Sequence, residues 1–270
     1  MFSFEDLIAF ARDFFFTQDY LSISSLGVVE KNERGELSDE AERGIQRTLA
    51  AYAETHMPGF LVVGEEEQHE WPPRTENFIV IDPKCGTHNS LCGLPNFGGM
   101  FTVVVDGAPF FTAIYLPTKQ KVYGNGLYVA CQGKGAWRLG ETEPCRLQVA
   151  RPKPLRDAFL FLEGPSRTLA TSPFARALMR TTKRFRVDMS MPESLTLLGS
   201  GNVYPAPIDL VVAIGNKPTD NIHGLLMTIE ADGVVTTTTG EKPKFRNLSN
   251  LVFASHAELL KQVVDLGASL

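Results

Sequence analysis

Residues 82–88, Asp-Pro-Lys-Cys-Gly-Thr-His, put a carboxylate, an amine, a thiol, a glycine, a hydroxyl and an imidazole into one turn. The turn follows directly on the apolar run NFIVI at 77–81. Two further carboxylates stand in comparable places. Glu65 follows FLVVG, and Asp220 opens the segment DNIHGLLMTIEADG. Carboxylates at strand ends and helix starts are held by rigid elements, and hard oxygen ligands of this kind suit Mg²⁺. A site of two or three Mg²⁺ ions with bridging carboxylates suits phosphate ester hydrolysis: one metal activates water and another steadies the leaving oxygen. The turn after Asp82 offers backbone N–H groups to a phosphate.

Each feature also has a plainer reading. GEEEQHE at 64–70 is a solvated acidic loop when taken alone. Asp-Pro after a strand is a common turn, and Asp220 is a natural helix cap. The order of the three together favours the site. Cys85 sits beside Lys84 and three residues before His88. Nearby cations lower a thiol and make it a nucleophile, whereas a thiol in apolar surroundings is an inert, small hydrophobe. His223 lies one helical turn after Asp220, so both can face one side; it either meets a substrate phosphate or packs in the core. His56, His69 and His256 have no supporting context.

The elements that must position these groups follow from pattern. Ser3 caps a first helix, with Asp6 three residues on and Phe4, Leu7, Ile8 and Ala11 on one face. SDEAERGIQRTLAAYAETH (38–56) reads as a second helix capped by Ser38, with Ile45, Leu49 and Tyr52 inward. FLVVGEEE and NFIVIDP are strands ending in acids. MFTVVVDGAPFFTAIYLP (100–117) is a hairpin about an Asp-Gly turn. The second half alternates strands with helices, including helices at SPFARALMR, DNIHGLLMTIEADG and HAELLKQVVDL. The proline- and arginine-rich stretch VARPKPLRDA marks a boundary between subdomains 1–150 and 151–270. Phe14–Phe16 belong to the core or to a dimer contact.

Composition excludes several classes. Apolar residues are 43% and charged residues 21% of the 270, a soluble globular balance. With a net charge of −5 and no basic run, nucleic acid is not an expected partner. The apolar runs are too short for a membrane helix. The acidic start MFSFEDLIAF is unlike a secretory signal, and four scattered cysteines fit reduced thiols in a cytoplasm-like compartment.

GEE (64–66), DPKCGT (82–87) and TDNIHG (219–224), with LSDEAE (37–42), GKGAW (133–137) and IEADGVVTTTTG (229–240), carry a family likeness. From about residue 5 to 265 the chain resembles the inositol monophosphatase family of Mg²⁺-dependent phosphatases. The resemblance implies the layered α/β fold of that family, a five-layer α/β/α/β/α sandwich shared with fructose-1,6-bisphosphatases. It also implies that Glu65, Asp82 and the Lys84 carbonyl hold a first metal. Asp82, residue 85 and Asp220 would hold a second, with Asp39 and Glu65 near a third. Thr87 would orient the attacking water with Glu65 or Asp39, and the Gly86 and Thr87 amides would receive the phosphate. Lys84, His88 and His223 would meet the substrate, a small phosphorylated sugar, inositol or nucleotide. The family pattern further implies a homodimer.

This chain departs from the family at Cys85, where the second aspartate of Asp-Pro-x-Asp-Gly-Thr belongs. It also departs at Lys84, Thr219, Ile222 and His223, and Ala213 stands where an acidic residue contacts inositol. Mg²⁺, or Mn²⁺ in its place, is therefore expected in fewer copies than the family carries. The alternatives are different chemistry through Cys85, Lys84 and His88, or a binding protein without turnover.

Overall fold

The run Phe78-Ile79-Val80-Ile81 lacks polar alternation, which marks a strand covered on both faces. The structure, a computed structural model, bears this out. It describes residues 2–18, 29–30, 37–38, 40–66, 77–117, 126–140, 143–188, 190–244 and 247–270. The strands are β1 (Val29–Glu30), β2 (Leu37–Ser38), β3 (Leu61–Gly64), β4 (Phe78–Cys85), β5 (Gly98–Val105), β6 (Ala108–Tyr115) and β7 (Leu127–Cys131). They continue as β8 (Gly135–Leu139), β9 (Cys145–Arg146), β10 (Phe159–Glu163), β11 (Arg184–Val187), β12 (Leu210–Ile214), β13 (Val234–Thr237) and β14 (Asn250–Ala254). The helices are α1 (Phe4–Thr17), α2 (Glu40–His56), α3 (Thr87–Leu91), α4 (Ser166–Thr171), α5 (Pro173–Thr181), α6 (Met191–Gly199), α7 (Pro218–Glu230) and α8 (Ala257–Ala268).

Two large sheets result. One runs β3-β4-β5-β6-β7-β8-β9 and the other β11-β10-β12-β14-β13. Strand alternation sorts side chains into three cores. Ile79, Ile81, Phe101, Val103 and Phe111 pack under α1 and α2. Phe78, Val80, Met100 and Ile114 face the other way, onto Leu195 and Leu198 of α6 and Ile222 and Leu226 of α7, which also touch Val211 and Phe253 of the second sheet. Leu160, Leu162, Val212 and Val252 leave the far side of that sheet to meet Leu169, Leu178 and Leu259 of α4, α5 and α8. The layers therefore read α/β/α/β/α, as expected.

Local signals hold as well. Ser3 and Asp6 form the capping box of α1, through Asp6 N–H to Ser3 Oγ at 3.1 Å and Ser3 N–H to Asp6 Oδ2 at 3.0 Å. Asp106 and Gly107 both take positive φ, +50° and +71°, as a two-residue turn matched to strand twist requires. Phe14 and Phe15 are buried, and Phe16 is exposed. Ile45 and Leu49 are buried, while Tyr52 packs against Phe10 with centroids 4.8 Å apart and the rings tilted by 42°. The side chains of Ser38, Asp39 and His69 lie outside the described residues. Helices α4 and α6 are additions to the sequence-based reading. Among the described residues, no helix is long and apolar enough to cross a membrane.

Candidate active site

Parallel pairing of β3 with β4 brings the first two carboxylates together. The register sets Gly64 beside Ile81, and the Glu65 N–H donates to the Ile81 carbonyl at 3.2 Å. The next residue on each strand is an acid, so Glu65 and Asp82 leave the sheet at the same end. A side chain at position 64 would displace the Gln46 amide of α2, which lies 2.0 Å from where its Cβ would sit. Gln46 is held in place by the Glu66 N–H, which donates to its Oε1 at 3.1 Å.

The end of β4 is bent. Its pairing with β5 slips between Asp82 and Cys85, around Pro83, which has no N–H to give the ladder. Gly86 then takes φ +88°, and a Cβ there would lie 2.7 Å from the Asn96 carbonyl. The chain turns at once into α3, whose first N–H groups have no partner in the helix's own ladder.

Asp220 arrives from the other half of the chain. Lys217 is the N-cap of α7 and Pro218 its first residue. The Lys217 N–H donates to Asp220 Oδ2 at 3.1 Å, and the Thr219 hydroxyl donates to Oδ1 at 3.2 Å. One oxygen each from Glu65, Asp82 and Asp220 lies within 4.8 Å of the others. Oxygens around one Mg²⁺ sit about 3 to 4.2 Å apart, given bonds near 2.1 Å, so a slight closure of this cluster fits the ion. The donors are the right chemical class, and no thiol or imidazole is among them. Burial, and then the charge of Glu65, push the Asp220 carboxyl up to about 7, partly offset by Lys217. Like charges gathered in this way are costly without a cation.

The structure distributes the other sequence-predicted residues unevenly. The Thr87 hydroxyl lies 2.7 Å from Glu42 Oε1 and 3.0 Å from the Lys84 carbonyl. Its one proton favours the shorter, charged contact. Glu42 was not singled out from the sequence, although it lies three residues before Ile45 on the inward stripe of α2; it is buried. Asp39, the expected partner, lies outside the described residues. The Lys84 N–H donates to Asp82 Oδ1 at 3.2 Å, and Lys84 itself is buried rather than presented to a substrate. His88 is exposed on α3.

Two expectations are corrected. His223 does not join the acids. It is buried against β5, with Nδ1 2.8 Å from Thr102 Oγ1, which in turn meets Thr112 at 2.9 Å. Burial holds the ring neutral, down to about 3. The setting of Cys85 disfavours a thiolate. Burial first, and then the charges of Asp82, Asp220, Glu163 and Glu65, push it well above the ordinary thiol range. The surrounding field is negative, so it opposes a thiolate. Glu163, which ends β10, accepts from the Ser190 N–H at 3.0 Å and from the Ser194 hydroxyl, and burial raises it to about 8.

Lys217 was also missed. Its Nζ lies 2.9 Å from Glu65 Oε1, across 152 positions of sequence. No local pattern announces that contact.

A model of the inositol monophosphatase family matches residues 15–267. A fructose-1,6-bisphosphatase/inositol-1-monophosphatase of Thermotoga maritima is 26% identical over 244 residues, covering 88% of this chain and 87% of that protein. A solved structure of a Thermotoga maritima IMPase superposes with a TM-score of 0.80 at 23% identity, over 98% of this chain and 97% of that one. An IMPase/NADP phosphatase solved with Mg²⁺ and phosphate gives a TM-score of 0.74 at 16% identity, over 90% and 86% of the two chains.

Proposed function

The chain belongs to the inositol monophosphatase family, and from that premise we propose that it is a divalent-metal-dependent phosphomonoesterase of small phosphorylated metabolites: sugar, inositol or nucleotide phosphates. The observation that carries this is the convergence of Glu65, Asp82 and Asp220 within 4.8 Å, with Asp82 in the same turn as Thr87, whose hydroxyl meets Glu42. These three carboxylates would hold Mg²⁺ or Mn²⁺, which supplies Lewis acidity to a phosphate oxygen and to water. A relative of the same fold was solved with Mg²⁺ and phosphate, which supports the choice of ion and ligand.

The chain's own groups supply the remaining chemistry. Glu42 accepts from the Thr87 hydroxyl, so the Thr87 oxygen offers lone pairs to orient a water. The Glu42 carboxylate takes up proton density as that water attacks. The amides of Gly86 and Thr87 at the start of α3 receive phosphate oxygens, and His88 lies exposed at the rim. Cys85 leaves the second metal position one carboxylate short, which favours fewer bound ions. The reading includes two subdomains meeting near residue 150, a homodimer and a cytoplasm-like compartment, supported by the family resemblance and four free cysteines.

The test is phosphate release from a panel of sugar, inositol and nucleotide phosphates with Mg²⁺ or Mn²⁺. Asp82→Asn is expected to lower turnover by roughly 10³-fold or more, because it weakens the ion that polarises both oxygens. Folded protein that releases nothing from the panel, or release unchanged in Asp82→Asn, would sink the assignment.

A further inference from the structure

Lys217 contacts the carboxylate cluster twice, through two different groups. Its ammonium lies 2.9 Å from Glu65 Oε1, and its backbone N–H donates to Asp220 Oδ2 at 3.1 Å. Two of the three metal-binding carboxylates therefore share one residue. That residue is well fixed at its root. It is the N-cap of α7 with φ −72° and ψ 150°, and Pro218 follows at the first helical position, where its ring sets the entry angle. The Lys217 side chain is 36% exposed and that of Glu65 is 16% exposed.

The charges at the site fit this placement. Three carboxylates are balanced by one divalent ion and one ammonium. The ligand count points the same way: the residue at the end of β4 is Cys85, a thiol outside the three-carboxylate group, and Mg²⁺ takes sulfur poorly. An ammonium is a compact, strongly hydrated point charge, the protein group nearest to a small cation in its effect.

We infer that Lys217 is a built-in cation of this centre: its ammonium stands in for a second divalent ion, and the site works with one bound metal. The inference rests on the metal-dependent reading above and deepens it. In that arrangement Lys217 holds Glu65 in position before substrate arrives. It also provides positive charge to a phosphate bound over the cluster without a second ion having to bind.

Mn²⁺ titration of the full chain by calorimetry, checked by electron paramagnetic resonance, decides the matter without reference to activity. The wild type is expected to take up about one ion per chain, and Cys85→Asp alone also about one, because Lys217 still occupies the charge. The double variant Cys85→Asp/Lys217→Met is expected to take up about two, and Cys85→Asp/Lys217→Arg, which keeps the charge, about one. Two ions in the wild type or in Cys85→Asp would overturn the inference while leaving the metal-dependent reading intact. A double Met variant that stays at one ion would do the same. Absence of Mn²⁺ binding in folded wild type would overturn both. Lys217 is partly exposed, so its replacements leave the core untouched, and circular dichroism of each variant checks the fold.

Discussion

Two carboxylate arrangements in this molecule follow opposite rules. Asp209, just before β12, is fully buried and fully answered: Lys153 Nζ lies 3.0 Å from each of its oxygens, and the Phe159 N–H donates to Oδ2 at 2.9 Å. It ties the start of the second sheet to the connection that leads into it. Glu65, Asp82 and Asp220 instead crowd like charges at the ends of β3, β4 and the start of α7, with Lys217 on Glu65. A charge placed for stability is paired. On the proposed metal-dependent reading, the gathered charges attract a ligand, and the fold tolerates their repulsion because the ligand relieves it.

Stability measurements probe that contrast most strongly. Asp209→Ala leaves the Phe159 N–H without its carboxylate and the partly exposed Lys153 without its partner, and should cost about 2–3 kcal/mol in urea unfolding. Asp82→Asn in chelator should cost less than about 1 kcal/mol or stabilise, because it removes a like charge while its amide oxygen still accepts from the Lys84 N–H. Comparable losses in the two variants would break the distinction between paired and gathered carboxylates.

Within the gathered region, the Thr87–Glu42 contact should act on turnover and not on the fold. Thr87→Val is expected to lower kcat by about 10²-fold, equivalent to about 2.7 kcal/mol, with unfolding of the metal-free protein little changed. Glu42→Gln should behave alike. Because the two act as a unit, the double variant should lose little more than either single one. Additive losses in steady-state kinetics would mean that Glu42 and Thr87 work separately.

The sequence carried this site to different depths for physical reasons. Glu65 and Asp82 were legible because each acid follows directly on a short apolar run. Asp220 was legible as the acid opening an apolar helix. Glu42 was harder, since Asp39, Glu40 and Glu42 crowd one helix start. Only the phase set by Ile45 and Leu49 singles out the inward acid. Lys217 was invisible, because its partner is far along the chain and the contact depends on how two sheets pack. His223 misled because a spacing of three residues puts it near Asp220 on the helix, while β5 lies under the ring. Helix α6 escaped because eight of its nine residues are buried, which leaves no amphipathic stripe to read.

The smallest predicted effect is also the most specific to the gathered charges. Burial and Glu65 raise Asp220 in the folded, metal-free protein to about 7, against an ordinary 3.8 when unfolded. Between these values the folded state binds a proton that the unfolded state does not, so stability falls as pH rises through the window. Glu163, raised to about 8, acts in the same direction, whereas neutral His223 acts in the opposite one below about 6.5, where the unfolded ring takes up a proton. The difference between wild type and Asp220→Asn cancels both. In chelator, Asp220→Asn should be the more stable protein at pH 8, by about 1–2 kcal/mol once solvent screening at this half-buried group is allowed for. The gap should close towards pH 4, where Asp220 is itself neutral. Saturating Mg²⁺ should reverse it at pH 8, because the ion binds the wild type better. A gap that ignores pH in chelator would mean that Asp220 is paired in the manner of Asp209, and the two regions would then follow one rule.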